Sequence, residues 1–151
     1  MVDRNVRGDF SWTMQAPPTS SPPKAVPRDG SLAGKVIVLL EDDELVRRAT
    51  ERMLRRFGAE VVPGASSGEV LAALSHLDLT PSCVIADYWL NQEEDGLTAA
   101  AAVRAATGSP VQGLIVTGDL SDEVADTVAR AGFLLLRKPV NVDSFIKALL
   151  R

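Results

Sequence analysis

Four groups of residues in this chain carry side chains that could do chemistry, and each closely follows a short apolar run. Glu41-Asp42-Asp43 comes after Val36-Ile37-Val38-Leu39-Leu40, and Asp87 comes after Cys83-Val84-Ile85-Ala86. Thr117 ends the run Leu114-Ile115-Val116, and Lys138-Pro139 lies just beyond Phe133-Leu134-Leu135-Leu136. Glu41, Asp42 and Asp87, if brought together, are like charges whose proximity is unfavourable unless a cation compensates. A hard divalent ion with oxygen ligands, Mg²⁺ by preference, would do so while keeping waters or phosphate oxygens in its other positions. The same ion would neutralise charge on an incoming phosphoryl group, so that anionic Asp87 could approach it as a nucleophile. Lys138 brings a compact charge for one phosphoryl oxygen, and the Thr117 hydroxyl a hydrogen bond for another. Taken singly, Thr117-Gly118-Asp119 could be turn chemistry and Lys138 a solvated charge, and Asp43 and Glu44 are better read as helix capping. Together, in this order, the groups suit phosphoryl transfer to a carboxylate.

Such groups meet only if regular elements position them. The run Val36–Leu40 is apolar throughout, as in a strand buried on both faces of a parallel sheet. A helix follows with Val46, Ala49, Met53 and Phe57 along one face, and Gly58 stops it. Glu60-Val61-Val62 is a short second strand, and Ser66 with Glu69 makes a capping box for a helix ending near Leu77. The third strand, Ser82 to Ala86, runs into Asp87. The alanine-rich stretch Leu97 to Ala106 has high helix propensity and closes at Gly108. Leu114–Val116 is the fourth strand, Ser121 caps a helix through Arg130, and Phe133–Leu136 is the fifth strand. The last helix carries Val142, Phe145, Ile146, Leu149 and Leu150 at i, i+3, i+4, i+7, i+8. Five strands alternating with five helices imply an α/β fold, an open parallel sheet covered on both faces. Its chemistry gathers at the carboxyl ends of the strands, where all four groups stand.

The remainder of the composition narrows the classes. At 151 residues the chain is the size of one domain, and its net charge of −4 argues against a general affinity for nucleic acid. Cys83 is the only cysteine and lies in an apolar run, so it reads as a core residue; His76, the only histidine, reads as an ordinary position late in a helix. No stretch is long and apolar enough for a signal peptide or a membrane span, which gives the expectation of a cytoplasmic protein with no membrane association in this chain. Five prolines (Pro17, Pro18, Pro22, Pro23, Pro27) fall among Ser, Thr and Ala, so residues 1–31 are expected to form a Pro-rich linker or tail and residues 32–151 the globular domain.

Leu40-Glu41-Asp42-Asp43-Glu44, Ile85-Ala86-Asp87, Val116-Thr117-Gly118 and Lys138-Pro139 resemble the signature of the response-regulator receiver domains of two-component systems, over roughly residues 35 to 151. The resemblance implies a flavodoxin-like sheet of order 2-1-3-4-5. It implies Asp87 as phosphoacceptor, Glu41 and Asp42 as the Mg²⁺-binding acidic pair, and the Trp89 backbone carbonyl as a further ligand. Thr117 and Lys138 become the switch hydroxyl and the phosphate-facing lysine, and the Lys138-Pro139 peptide is expected to be cis. Histidine kinases or histidine phosphotransfer proteins are the implied partners, with a monomer or weak dimer as the assembly and no catalysis beyond the domain's own phosphorylation and dephosphorylation.

Some positions depart from the commonest pattern. Asn91 stands where a proline is frequent, in a loop a residue longer than in many receivers. Leu135 takes the place of an aromatic that rotates when the threonine moves, with Phe133 out of register. Asp87-Tyr88-Trp89-Leu90 and Gly132 to Pro139 look like the C-terminal receiver of a hybrid sensor histidine kinase, and the stretch around Phe10, Trp12 and Met14 is similar to the final strand of a kinase ATP-binding domain; an independent single-domain regulator is the alternative origin. A phosphohydrolase of the haloacid-dehalogenase type also uses Asp, Thr, Lys and Mg²⁺, but wants a second acid two residues after its nucleophile, where this chain has Trp89. A degenerate receiver serving only as a docking scaffold is the other alternative.

Overall fold

The computed structural model describes residues 30–151, so the expected Pro-rich linker lies outside the described residues except for its last two positions. Strands and helices alternate as β1 (Val36–Leu40), α1 (Glu44–Arg56), β2 (Glu60–Gly64), α2 (Ser67–Leu77), β3 (Cys83–Asp87), α3 (Gly96–Thr107), β4 (Gln112–Thr117), α4 (Asp122–Arg130), β5 (Leu134–Arg137) and α5 (Val142–Leu149). All strand pairs are parallel and the sheet order is β2-β1-β3-β4-β5, the topology expected from the sequence.

Alternation along β1 explains the layering. Ile37 and Leu39 point to the face that holds Met53 and Leu54 of α1, Phe57 at its C-terminal cap, and Phe145, Ile146 and Leu149 of α5. Val38 and Leu40 point to the opposite face, with Val70 of α2, Val103 of α3 and Val128 of α4. A continuous apolar strand is the consequence of having helices on both sides. Cys83 is buried within β3, where burial pushes its thiol up to about 12, and His76 is exposed in the last turn of α2.

The helices begin at the expected polar residues. Asp43 Oδ1 accepts the Leu45 and Val46 N–H groups at 3.0 and 3.1 Å, satisfying donors that have no partner inside the helix. Ser66 Oγ accepts the Glu69 N–H at 3.2 Å, but the Glu69 carboxylate bonds the N–H of Ala65 (2.9 Å), one residue before the position a capping box would use. Gly58 ends α1 at φ +101, and a Cβ there would press on the Ala33 backbone at 3.1 Å. That space admits the turn at residues 30–34, whose Leu32 is fully buried and donates its N–H to the Phe57 carbonyl (2.8 Å).

Some apolar faces differ from their expected composition. Val46 is half exposed and Ala49 partly buried, while Leu54 is buried instead. Val46 lies in the first turn of α1, beside the carboxyl edge of the sheet, and lines a groove toward Pro139. Leu150 falls at the cap after α5 and is exposed. β2 extends through Pro63, opposite Leu39; an edge strand tolerates proline because one side of its backbone needs no partner. β5 starts one residue late because Phe133 lies over Gly113, where any Cβ would overlap the ring, and under the Arg104 guanidinium, 3.9 Å from the ring centroid. Among the described residues no helix is long and apolar enough to cross a membrane.

Candidate functional site

Strand register brings the chemical groups to one edge. Leu40, Ala86, Ile115 and Leu135 lie level across β1, β3, β4 and β5, so the residues after them emerge together. Two backbone bonds extend the ladder past the strand ends: Tyr88 N–H to the Val116 carbonyl (2.9 Å) and Lys138 N–H to the Thr117 carbonyl (2.8 Å). The second sets Lys138 beside Thr117, and the Lys138-Pro139 peptide is cis.

Asp87 is the meeting point. Its Oδ2 pairs with Lys138 Nζ at 2.9 Å, and its Oδ1 accepts the Trp89 N–H at 3.2 Å. Thr117 is fully buried, and its hydroxyl oxygen accepts the Asp119 N–H at 3.0 Å. Glu41 is also buried, with Oε2 accepting the Asp43 N–H at 3.2 Å. Burial is the main reason its carboxyl is raised to about 7; the negative charges of Asp87 and Asp42 add to this, against the Asp43 N–H and the Lys138 charge. Asp42 is exposed and faces a shallow groove of about 400 Å³ that it shares with Trp89 and Asn91. A larger groove of about 550 Å³ opens beside Glu41, Asp87 and Lys138, with Val46, Pro139 and Phe145 in its apolar walls.

Of the residues singled out in the sequence, Glu41, Asp87, Thr117 and Lys138 thus converge, and Asp42 stands on the outer side. Among the described residues no three or more His, Cys, Asp or Glu side chains gather so that they alone could hold a metal ion. The donors at this edge are carboxylate oxygens, and the negative charges of Asp87 and Asp42 bear on the Glu41 carboxyl. Such a set fits a hard ion that keeps most of its waters and takes only a few protein oxygens. Trp89 is 62% exposed, its ring set edge-on to Tyr88 with centroids 4.9 Å apart. Leu135 is half buried against the cluster that also receives Tyr88.

Two supporting residues were not singled out in the sequence. Arg47 of α1 donates to the Glu41 carbonyl (2.8 Å), holding the acidic strand end in place; an arginine in an exposed helical pattern does not announce such a bond. Gly96 opens α3 so close to Asp87 that a Cβ would overlap the Asp87 carbonyl oxygen, and its N–H donates to Tyr88 O at 2.7 Å. A glycine at a loop-to-helix junction was the one available hint.

The sequence profile described as the response regulator receiver domain matches residues 37–150. The transcriptional regulatory protein PdtaR of Mycobacterium tuberculosis is 28% identical over 133 residues, a match taking in 87% of this chain and 60% of that protein. The chain therefore spans about 60% of the length of this relative. A response regulator receiver protein from Burkholderia phymatum is 30% identical, with 76% of this chain and 91% of that one superposed at a TM-score of 0.62. A response regulator from Burkholderia pseudomallei, solved with a phosphorylated aspartic acid, a calcium ion and citrate, is 25% identical at a TM-score of 0.66, covering 76% of this chain and 66% of that one. Strand order, the site at the carboxyl edge and a profile match over most of the sequence agree: this chain belongs to the response regulator receiver domain family.

Proposed function

We propose that the domain accepts a phosphoryl group on Asp87 from a histidine kinase or a histidine phosphotransfer protein, and changes conformation in response. The observation that carries this reading is the Asp87–Lys138 pair at 2.9 Å, set beside buried Thr117 and Glu41 at the carboxyl edge of the sheet. An Asp87 carboxylate oxygen attacks phosphorus, the bond from phosphorus to the donor's imidazole nitrogen breaks, and the electron pair leaves with the imidazole. Mg²⁺, held by Glu41, Asp42, Asp87 and the Trp89 carbonyl, would supply charge neutralisation for the incoming group. Once Asp87 is an acyl phosphate its oxygens no longer balance the Lys138 ammonium, which turns to a phosphoryl oxygen. The Thr117 hydroxyl, accepting one hydrogen bond, still has a proton to donate to another. Because it also receives the Asp119 N–H, a shift of Thr117 toward the phosphoryl group draws the β4–α4 loop with it. The related response regulator solved with a phosphorylated aspartic acid and a calcium ion supports both the acceptor and the cation.

The same reading assigns residues 1–31 to a tail and 32–151 to the receiver, and gives a cytoplasmic location. Origin within a hybrid sensor kinase is supported by the Asp87-Tyr88-Trp89-Leu90 wording and by the stretch around Phe10, Trp12 and Met14. Incubation with acetyl phosphate and Mg²⁺ is expected to add one phosphoryl group per chain, and none to Asp87→Asn. Mass spectrometry that located the group elsewhere, or found it unaffected by the substitution, would overturn the assignment.

A further inference from the structure

The loop between Asp87 and α3 is tied across to the turn that precedes α2. Asn91 Nδ2 donates to the Ala65 carbonyl at 3.0 Å, while its Oδ1 accepts the Glu93 and Glu94 N–H groups at 2.8 and 2.9 Å. The Glu94 carboxylate engages both polar groups of Ser67: Oε1 accepts the N–H (2.8 Å) and Oε2 the hydroxyl (3.1 Å). Ser67 is the first residue of α2, so the carboxylate also meets the positive end of the helix. On its other side the same turn is joined to the acidic strand end, because the Gly64 carbonyl accepts the Glu41 N–H at 3.0 Å. Glu41 and the loop carrying Trp89 are thereby referenced to one fixed turn.

From these contacts we infer that Glu94 is a positioning residue, with Asn91 as its partner: it holds the loop after Asp87 at a set distance from Glu41, so that the oxygens there are arranged before a divalent ion arrives. This inference rests on the proposed function. The physical reason is pre-organisation. A loop of this length left untethered would have to be ordered when the ion binds, at the expense of affinity, whereas hydrogen bonds to a carboxylate are among the stronger ones a loop can make. Sequence spacing could not reveal the tie, since Glu94 and Ser67 are 27 positions apart.

The test is Mg²⁺ affinity, read from the amide resonance shifts of Trp89 and Gly96 during titration, together with the exchange rate of the Ser67 amide without metal. Glu94→Ala is expected to weaken Mg²⁺ binding about fivefold or more and to speed Ser67 exchange. Glu94→Gln keeps an acceptor for the N–H and a polar group for the hydroxyl, and is expected to stay within about twofold of the parent. Parental affinity in the Ala variant, or a Gln variant as weak as Ala, would refute the positioning role. A parent protein that takes neither Mg²⁺ nor a phosphoryl group would instead remove the proposed function itself.

Discussion

Trp89 stands two positions after Asp87, largely exposed and braced edge-on by Tyr88. An aspartyl phosphate is lost when water attacks phosphorus in line, opposite the Asp87 oxygen, and the side chains two positions after Asp87 and Thr117, Trp89 and Asp119, are expected to flank that approach. Asp119 is already engaged: its Oδ1 accepts the Ser121 N–H at 2.8 Å, which holds its carboxyl below the ordinary range. A polar group at position 89 could accept from and orient the water, whereas a bulky indole, which offers no acceptor, excludes it. Trp89→Asn is therefore expected to speed phosphate loss about tenfold, or about 1.4 kcal/mol in barrier. Time courses of phosphate release in Mg²⁺ measure this directly, and an unchanged or slower rate removes the shielding role. Glu41 makes a second prediction at this scale. Between its ordinary 4.5 and its raised value of about 7, the folded protein keeps a proton that the unfolded chain has released. Without divalent ions, stability should consequently fall as pH rises through that window and level off above it, by at most on the order of 3 kcal/mol. Denaturant melts across this range should show the slope in the parent and not in Glu41→Gln; an equal slope in both would place the titration elsewhere.

At the scale of elements, the sequence was most informative where one physical signal acted alone. Asp43, Ser66 and Ser121 cap helices as their side chains dictate, and uninterrupted apolar runs became strands because both faces of the sheet are covered. Boundaries shifted where a neighbour in space decided the matter. Phe133 is drawn out of β5 by the space over Gly113 and by the Arg104 guanidinium, although its type suits a strand. Val46 has the spacing of a core residue but lies in a helical turn at the sheet's edge, lining a groove. The departure at Leu135 also belongs here. With an aliphatic side chain at that position, the aromatic packed on the same cluster beside the acceptor is Tyr88, whose hydroxyl is raised by burial first and then by Asp95, Asp119 and Glu123.

For the molecule as a whole, the core is complete within the described residues: Leu32 closes the end of α1 and both sheet faces are filled. Residues 1–29 contribute few apolar groups beyond Phe10, Trp12 and Met14. Their removal is expected to change the melting temperature by no more than a degree or two; a drop of several degrees would mean that these side chains pack on the domain. The fold class and the gathering of Asp87, Glu41, Thr117 and Lys138 at one edge were legible in the linear sequence, through local periodicity and the rule that parallel strands deliver their following residues to one edge. The sheet order was legible only through the resemblance to receiver domains. What only the tertiary structure decided is how these groups are held. The Asp87–Lys138 pairing, the Arg47 bond to Glu41, the close approach of Gly96 and the Glu94–Ser67 tie join residues distant in the chain or fix side-chain directions. No periodicity encodes a contact whose partners are chosen by the way strands and loops settle against one another.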